Sequence, residues 1–151
     1  MIIFSLCIHS CMRSSTYMII TLIAAFLLTA GCLTGSTGLP GTSWTLIAYA
    51  GDDGEMVRAD AYATLIFSGD GTVRGTAGCN SYSADYRVGR DQITISSPAS
   101  TLMYCTDEGV MEQEARFLYL LSQVRSFEID GDILTMYGSG GKELLVAGKL
   151  R

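Results

Sequence analysis

Residues 63–76 read Ala-Thr-Leu-Ile-Phe-Ser-Gly-Asp-Gly-Thr-Val-Arg-Gly-Thr. Two short β-type runs, Ala63–Phe67 and Thr72–Thr76, flank Ser68-Gly69-Asp70-Gly71. The Asp-Gly step supplies the positive φ angles that a tight hairpin turn needs. The same arrangement recurs on both sides. Trp44–Tyr49 reads as a first strand. Tyr82–Val88 and Gln92–Ser96 flank Gly89-Arg90-Asp91, Phe127–Ile129 and Ile133–Tyr137 flank Asp130-Gly131-Asp132, and Leu144–Ala147 closes the chain. Strands this short, separated by turn signals, predict an antiparallel meander that is curved or partly closed.

One stretch breaks the period. Val110–Val124 places Val110, Phe117, Leu121 and Val124 on one helical face, widened by Met111, Leu118 and Leu120. Thr106 or Asp107 is the expected cap, and acidic residues in the first turn suit the helix dipole. Glu112 and Arg116, four apart, are expected to form a surface pair. The reading is α+β: a β-rich, curved or partly closed antiparallel sheet with one amphipathic helix packed on it.

Composition agrees. The 151 residues include 17 glycines and two prolines, and 48% are hydrophobic against 17% charged. The positive mean hydropathy, +0.31, is concentrated before residue 33. A net charge of −5 argues against a nucleic-acid partner.

Residues 18–30 form an apolar run behind Arg13, shorter than the roughly 20 residues of a membrane span and suited to the core of a secretory signal. Leu28-Thr29-Ala30-Gly31-Cys32 resembles the lipobox of exported lipoproteins, which makes Cys32 the expected lipidation site and new N-terminus. The usual leucine three places before the cysteine is Thr29 here. Residues 1–31 are thus read as a lipoprotein-type signal, with 1–11 a candidate misassigned start. Residues 32–41 read as a flexible tether and 42–151 as the domain. An uncleaved signal anchor and plain secretion are the other readings, and all three place the domain outside the cytoplasm. From Cys32 onward nine basic and fifteen acidic side chains remain, a net charge of −6, with no histidine.

Two cysteines lie in the domain, Cys79 and Cys105. Outside a reducing compartment such a pair is most often a disulfide, with free structural thiols or a redox or metal pair as the alternatives. A CxxC motif is absent, and zinc lacks a ligand set in a histidine-free domain.

Around these cysteines the sequence resembles the META/HslJ (DUF306-like) domain family, from Thr42 to Ala147. The resemblance is carried by Trp44-Thr45-Leu46, by Gly78-Cys79-Asn80-Ser81-Tyr82, and by Tyr86. Thr101-Leu102-Met103-Tyr104-Cys105 follows, and then Met111-Glu112-Gln113-Glu114 with Phe117. Tyr104 stands where the family commonly has alanine. The resemblance implies a compact β-rich fold on membrane lipoproteins or exported proteins, sometimes linked to heat shock or antibiotic tolerance. It implies no established reaction.

The candidates for chemistry are few. Asn80 offers an amide to a ligand, but in its turn it is expected to cap its own backbone. Glu112 and Glu114 point about 200° apart on a helix and cannot share one site; Glu114, near the apolar face, is a candidate for a buried bond to sheet backbone. The acidic turns Asp52–Glu55 and Asp130–Asp132 lack EF-hand spacing and read as turn chemistry. Seven tyrosines, at 49, 62, 82, 86, 104, 119 and 137, are expected in the core or on sheet faces before any groove. A nucleophile–histidine hydrolase lacks its base. The expectation is therefore a non-enzymatic, lipid-anchored envelope domain without cofactor or metal, contributing to stress tolerance by binding an unidentified protein or small ligand. A module assembling through a sheet edge is the alternative, with a carboxylate-dependent hydrolase a poor third.

Overall fold

The computed structural model describes residues 38–151, so the signal segment, Cys32 and the first residues of the expected tether lie outside the described residues. Ten strands and one α-helix follow in order. They are β1 (Thr42–Ala50), β2 (Met56–Arg58), β3 (Thr64–Phe67), β4 (Thr72–Thr76), β5 (Ser81–Val88), β6 (Ile93–Ile95) and β7 (Ala99–Ser100). The helix α1 (Val110–Gln123) comes next, then β8 (Ser126–Asp130), β9 (Ile133–Tyr137) and β10 (Glu143–Lys149). Every pairing is antiparallel. The α+β reading holds.

β5 shows how directly sequence becomes structure. Tyr82, Ala84 and Tyr86 are buried while Ser81, Ser83, Asp85 and Arg87 are exposed, the period-two alternation of a strand with one face on a core. Gly71 (φ 86°) closes the β3–β4 turn and Asp70 Oδ1 accepts the Thr72 N–H at 3.0 Å. Asp53 does the same for Glu55 in the β1–β2 turn, so these acidic turns are backbone chemistry.

The sheet is not one meander. Its order is β6-β5-β4-β3-β1-β10-β9-β8, so two local meanders are joined by β1, which lies between β3 and the C-terminal β10. A register shift between Leu46 and Ala48 bends β1, whose first half pairs with β3 and second half with β2. The two ends of the sheet then meet. Gln92 bridges Ser126, Ile93 N–H donates to Arg125 O and Phe127 N–H to Asp91 O, both at 3.0 Å. The result is an almost closed barrel that leaves little edge for aggregation. The short strands β2 and β7 lay outside the sequence reading: their two or three residues carry no alternation to detect.

Inside lie Trp44, Phe67, Phe117, Leu65, Leu134 and Leu145, all essentially inaccessible, each worth about 1.5–3 kcal/mol of burial for the larger side chains. Tyr82 stacks edge-on against Phe117 at 5.5 Å and Tyr86 against Phe67 at 5.2 Å. Trp44 Nε1 donates to Thr42 Oγ1 at 2.7 Å, which satisfies the indole as it enters the core. The expected tether 32–41 is corrected at its end. Leu39 is fully buried and Gly41 N–H donates to Phe67 O, so the domain begins before Thr42.

α1 packs against β1, β6 and β10. Its start is set by Gly109 (φ 77°), not by Thr106 or Asp107; no side chain caps it, and Gln113 N–H donates to Gly109 O. Glycine's freedom to take the left-handed conformation makes the turn into the helix here. The buried face is Phe117, Leu120, Leu121 and the following Val124, together with two polar residues, Gln113 and Glu114.

Candidate functional site

The two buried polar residues of α1 organise the loops at one end of the barrel. Gln113 Oε1 accepts the N–H groups of Asp60 and Ala61 at 2.9 and 3.0 Å, and its Nε2 donates to Ala61 O at 2.7 Å. One side chain thereby satisfies three backbone groups of the loop before β3. Glu114 serves the loop before β5 through two backbone groups and one side-chain amide. Its Oε2 accepts Cys79 N–H at 3.1 Å and Asn80 N–H at 2.7 Å, and its Oε1 accepts Asn80 Nδ2 at 2.7 Å. Gly78 (φ 129°) gives the chain the turn that presents these N–H groups.

Asn80 passes the constraint on. Its Oδ1 accepts Met103 N–H and Thr101 Oγ1, both at 2.7 Å, and its Nδ2 also donates to Met103 O at 3.0 Å. The amide therefore clamps both backbone groups of Met103, and the expectation that it caps its own backbone is corrected. A turn cap would leave the carboxamide near the surface, whereas Asn80 is 1% exposed and bridges helix to loop. Cys79 is joined to Cys105 by a disulfide, with a Cα–Cα distance of 5.9 Å. Thr101–Cys105 is thus tied at its middle by the amide and at its end by the disulfide.

What this network holds out is apolar. Leu102 is 98% exposed, Met103 59% and Tyr104 81%. Three consecutive large hydrophobic side chains in solvent, on a backbone pinned by the buried Asn80 amide and the disulfide, form a rigid presenting loop. Tyr82 pairs with Ser100 just before the loop, its hydroxyl donating to Thr64 O at 2.8 Å; burial pushes its ionisation well above the usual tyrosine range.

The META domain family profile matches residues 37–149. The chain belongs to the META domain family. Two solved structures share the fold. One is a protein from Burkholderia xenovorans determined by NMR, 23% identical, covering 74% of this chain and 83% of that one with a TM-score of 0.60. The other is the crystal structure of a DUF4847 family protein from Bacteroides vulgatus, 12% identical, covering 73% and 93% with a TM-score of 0.53. No curated protein matches the sequence.

The META residues named by motif separate into two groups. Gly78, Cys79, Asn80, Met103, Cys105 and Glu114 converge on the presenting loop, while Tyr82 and Phe117 pack edge-on against each other in the core. Trp44 lies in the barrel core, and Glu112 is exposed on the opposite side of the helix from Glu114. The expected Glu112–Arg116 pair does not form. Arg116 turns instead to the β1–β2 turn, donating to Ala50 O at 2.7 Å and to Gly51 O, and pairing with Asp52 at 2.8 Å. Two backbone carbonyls and a carboxylate in one fork are a better set of acceptors than a solvated glutamate one turn away. The tyrosines divide: Tyr82 and Tyr86 are buried, whereas Tyr62, Tyr104 and Tyr119 are exposed.

Gln113, Thr101 and Leu102 stand inside the quoted motifs, but no role could be read for them from the sequence. Gln113 lies inside the Met-Glu-x-Glu motif at its unspecified position, and only the loop folded over the helix gives it a role. A depression of about 550 Å³ beside Asp70, Tyr86 and Arg87 is remote from this network. Its tyrosine is already committed, with Tyr86 OH donating to Ser68 O at 2.7 Å.

Proposed function

We propose that this META domain is an exported, lipid-anchored envelope protein that acts by recognition and not by catalysis, contributing to stress tolerance through a protein partner that docks on Leu102–Tyr104. The observation that carries the reading is the rigid apolar loop. Burying those side chains in a partner would recover hydrophobic free energy, and the disulfide and Asn80 clamp have already removed most of the ordering cost. Anchors of this kind dominate interface energetics when they fill a pocket.

The address rests on separate grounds. The lipobox-like Cys32 supports lipidation, and the Cys79–Cys105 bond fits an oxidising compartment. The chain enters the barrel beside Phe67, at one end of β3, and the loop leaves beside Tyr82, whose hydroxyl touches Thr64 at the other end. Gly41 and the Tyr82–Ser100 pairing that precedes the loop therefore lie toward opposite ends of β3. Absence of histidine after Cys32 supports the non-enzymatic reading, since acyl-transfer sites of the common kind need a base titrating near neutrality.

Two measurements test this reading. Intact mass of the membrane-extracted protein is expected to begin at Cys32 plus acyl chains, with Cys79 and Cys105 alkylated only after reduction. A chain beginning at Met1 or Met12 with free thiols overturns the address. A photo-crosslinking residue placed at Leu102 or Tyr104 is expected to give one discrete adduct in cells, absent when placed at Arg90. Equal labelling from all three positions overturns the docking role.

A further inference from the structure

A second surface lies between the β1–β2 ribbon and the outer face of α1. Two adjoining depressions, about 480 and 410 Å³, share Tyr49 and Glu112 and form one open groove. Its helical wall runs from Gly109 to Tyr119. At 1.5 Å per residue this gives a length of about 15 Å, enough for four or five residues of extended chain.

The wall chemistry is mixed in a specific way. Tyr49, Val57, Ala115 and Tyr119 supply the apolar surface, with Val57 42% and Tyr119 57% exposed. Asp52, Asp60, Asp107, Glu108 and Glu112 stand along the rim, all exposed. Arg116 is the single cation of the lining, and its guanidinium is already spent on Ala50, Gly51 and Asp52. Five carboxylates and one guanidinium give the groove a net charge of −4 within a chain of net charge −5.

These carboxylates are dispersed. Among the described residues no three of His, Cys, Asp and Glu gather closely enough to hold a metal ion. Dispersed negative charge along an apolar trough complements a ligand whose positive charges are spread along an amphipathic chain. β2 adds a further feature, because it pairs with β1 on one side and with no other described strand. The backbone groups of Met56 and Arg58, on either side of the groove residue Val57, form its free edge and can pair with an extended peptide, which a simple polyamine cannot exploit.

We propose that this groove binds a short, basic, amphipathic peptide segment in extended conformation. The site is distinct from the Leu102–Tyr104 loop and does not depend on it. Apolar side chains of the segment would lie on Tyr49, Val57 and Tyr119, and lysines or arginines would face Glu112 and the Asp107–Glu108 end.

The test uses the full-length, disulfide-intact protein in a neutral detergent and a labelled Lys-Leu-Lys-Leu-Lys-Leu peptide, followed by fluorescence anisotropy. Saturable binding is expected, weakened at least about ten-fold by the double variant Asp107→Asn with Glu112→Gln, and similarly by Tyr119→Ala. Raising the salt should weaken it as well. Leu102→Ser with Tyr104→Ser should leave it unchanged, which separates this site from the loop. All these positions are exposed, and circular dichroism checks that each variant folds. The proposal is overturned by no saturable binding at millimolar peptide. It is equally overturned if the groove variants bind like the parent, or if spermine competes as well as the peptide.

Discussion

Replacing Glu114 with glutamine alters one atom's chemistry and leaves the side-chain shape intact, so its effect reads the polar network directly. In the native arrangement Oε2 accepts two backbone N–H groups and Oε1 accepts Asn80 Nδ2. A glutamine can keep its oxygen at the two N–H groups, but its NH2 group then meets the NH2 of Asn80. Asn80 cannot answer by turning over, because its Oδ1 already accepts from Thr101 and Met103. One charge-assisted hydrogen bond is lost, two donors are crowded together, and the two surviving bonds become neutral. The lost bond alone is worth about 1.5–3 kcal/mol, and the opposed donors bring the expected cost to about 3 kcal/mol. Against a typical domain stability of about 5–15 kcal/mol this is a large fraction. Urea unfolding should show a lower midpoint at unchanged slope, and thermal unfolding a fall of roughly 10 °C. Amide exchange at Cys79 and Asn80 should accelerate in step. Glu112→Gln, two residues away and exposed, should stay within about 0.5 kcal/mol. A Glu114→Gln protein within about 1 kcal/mol of the parent would refute the claim that this carboxylate holds the loop.

Other outcomes follow from the same geometry. Cys79→Ser with Cys105→Ser opens a cross-link spanning 26 residues and should cost about 3.5 kcal/mol by loop-closure entropy, read from denaturant midpoints; a loss below about 1 kcal/mol would contradict it. Arg116→Met should cost about 1–2 kcal/mol through the carbonyls of Ala50 and Gly51, while Asp52→Asn, whose carboxylate is almost fully exposed, should cost close to nothing; equal losses would show that the ion pair matters more than the carbonyls. Gly78→Ala places a Cβ on a φ of 129° and should cost about 2 kcal/mol although the space around it is tolerable. Burial raises the ionisation of Tyr82 above the unfolded value near 10, so its contribution is fully present below that pH and is lost as pH rises above it. Stability should therefore fall above pH ~10, by up to about 1.4 kcal/mol per pH unit for this group, and the fall should be shallower in Tyr82→Phe.

The local grammar of this chain was open to reading from the sequence. Alternation in 81–88, the Asp-Gly and Asp-Gly-Asp turns and the helical spacing after Val110 each depend on neighbours a few residues away, so the hairpins and α1 could be placed with near-correct bounds. Motif resemblance likewise drew Cys79, Asn80, Met103 and Glu114 into one set. Their spacing gave no hint of why they belong together. Only the fold brings Glu114 to the Cys79–Asn80 backbone across 34 and 35 residues and lets Asn80 reach Met103. The insertion of β1 between β3 and β10, the burial of Leu39 and the diversion of Arg116 to the β1–β2 turn are of the same kind. A pattern of hydrophobicity specifies which face of an element turns inward. It does not specify which distant element will lie there, and that choice is made by the packing of the whole barrel, where each buried donor must find its acceptor.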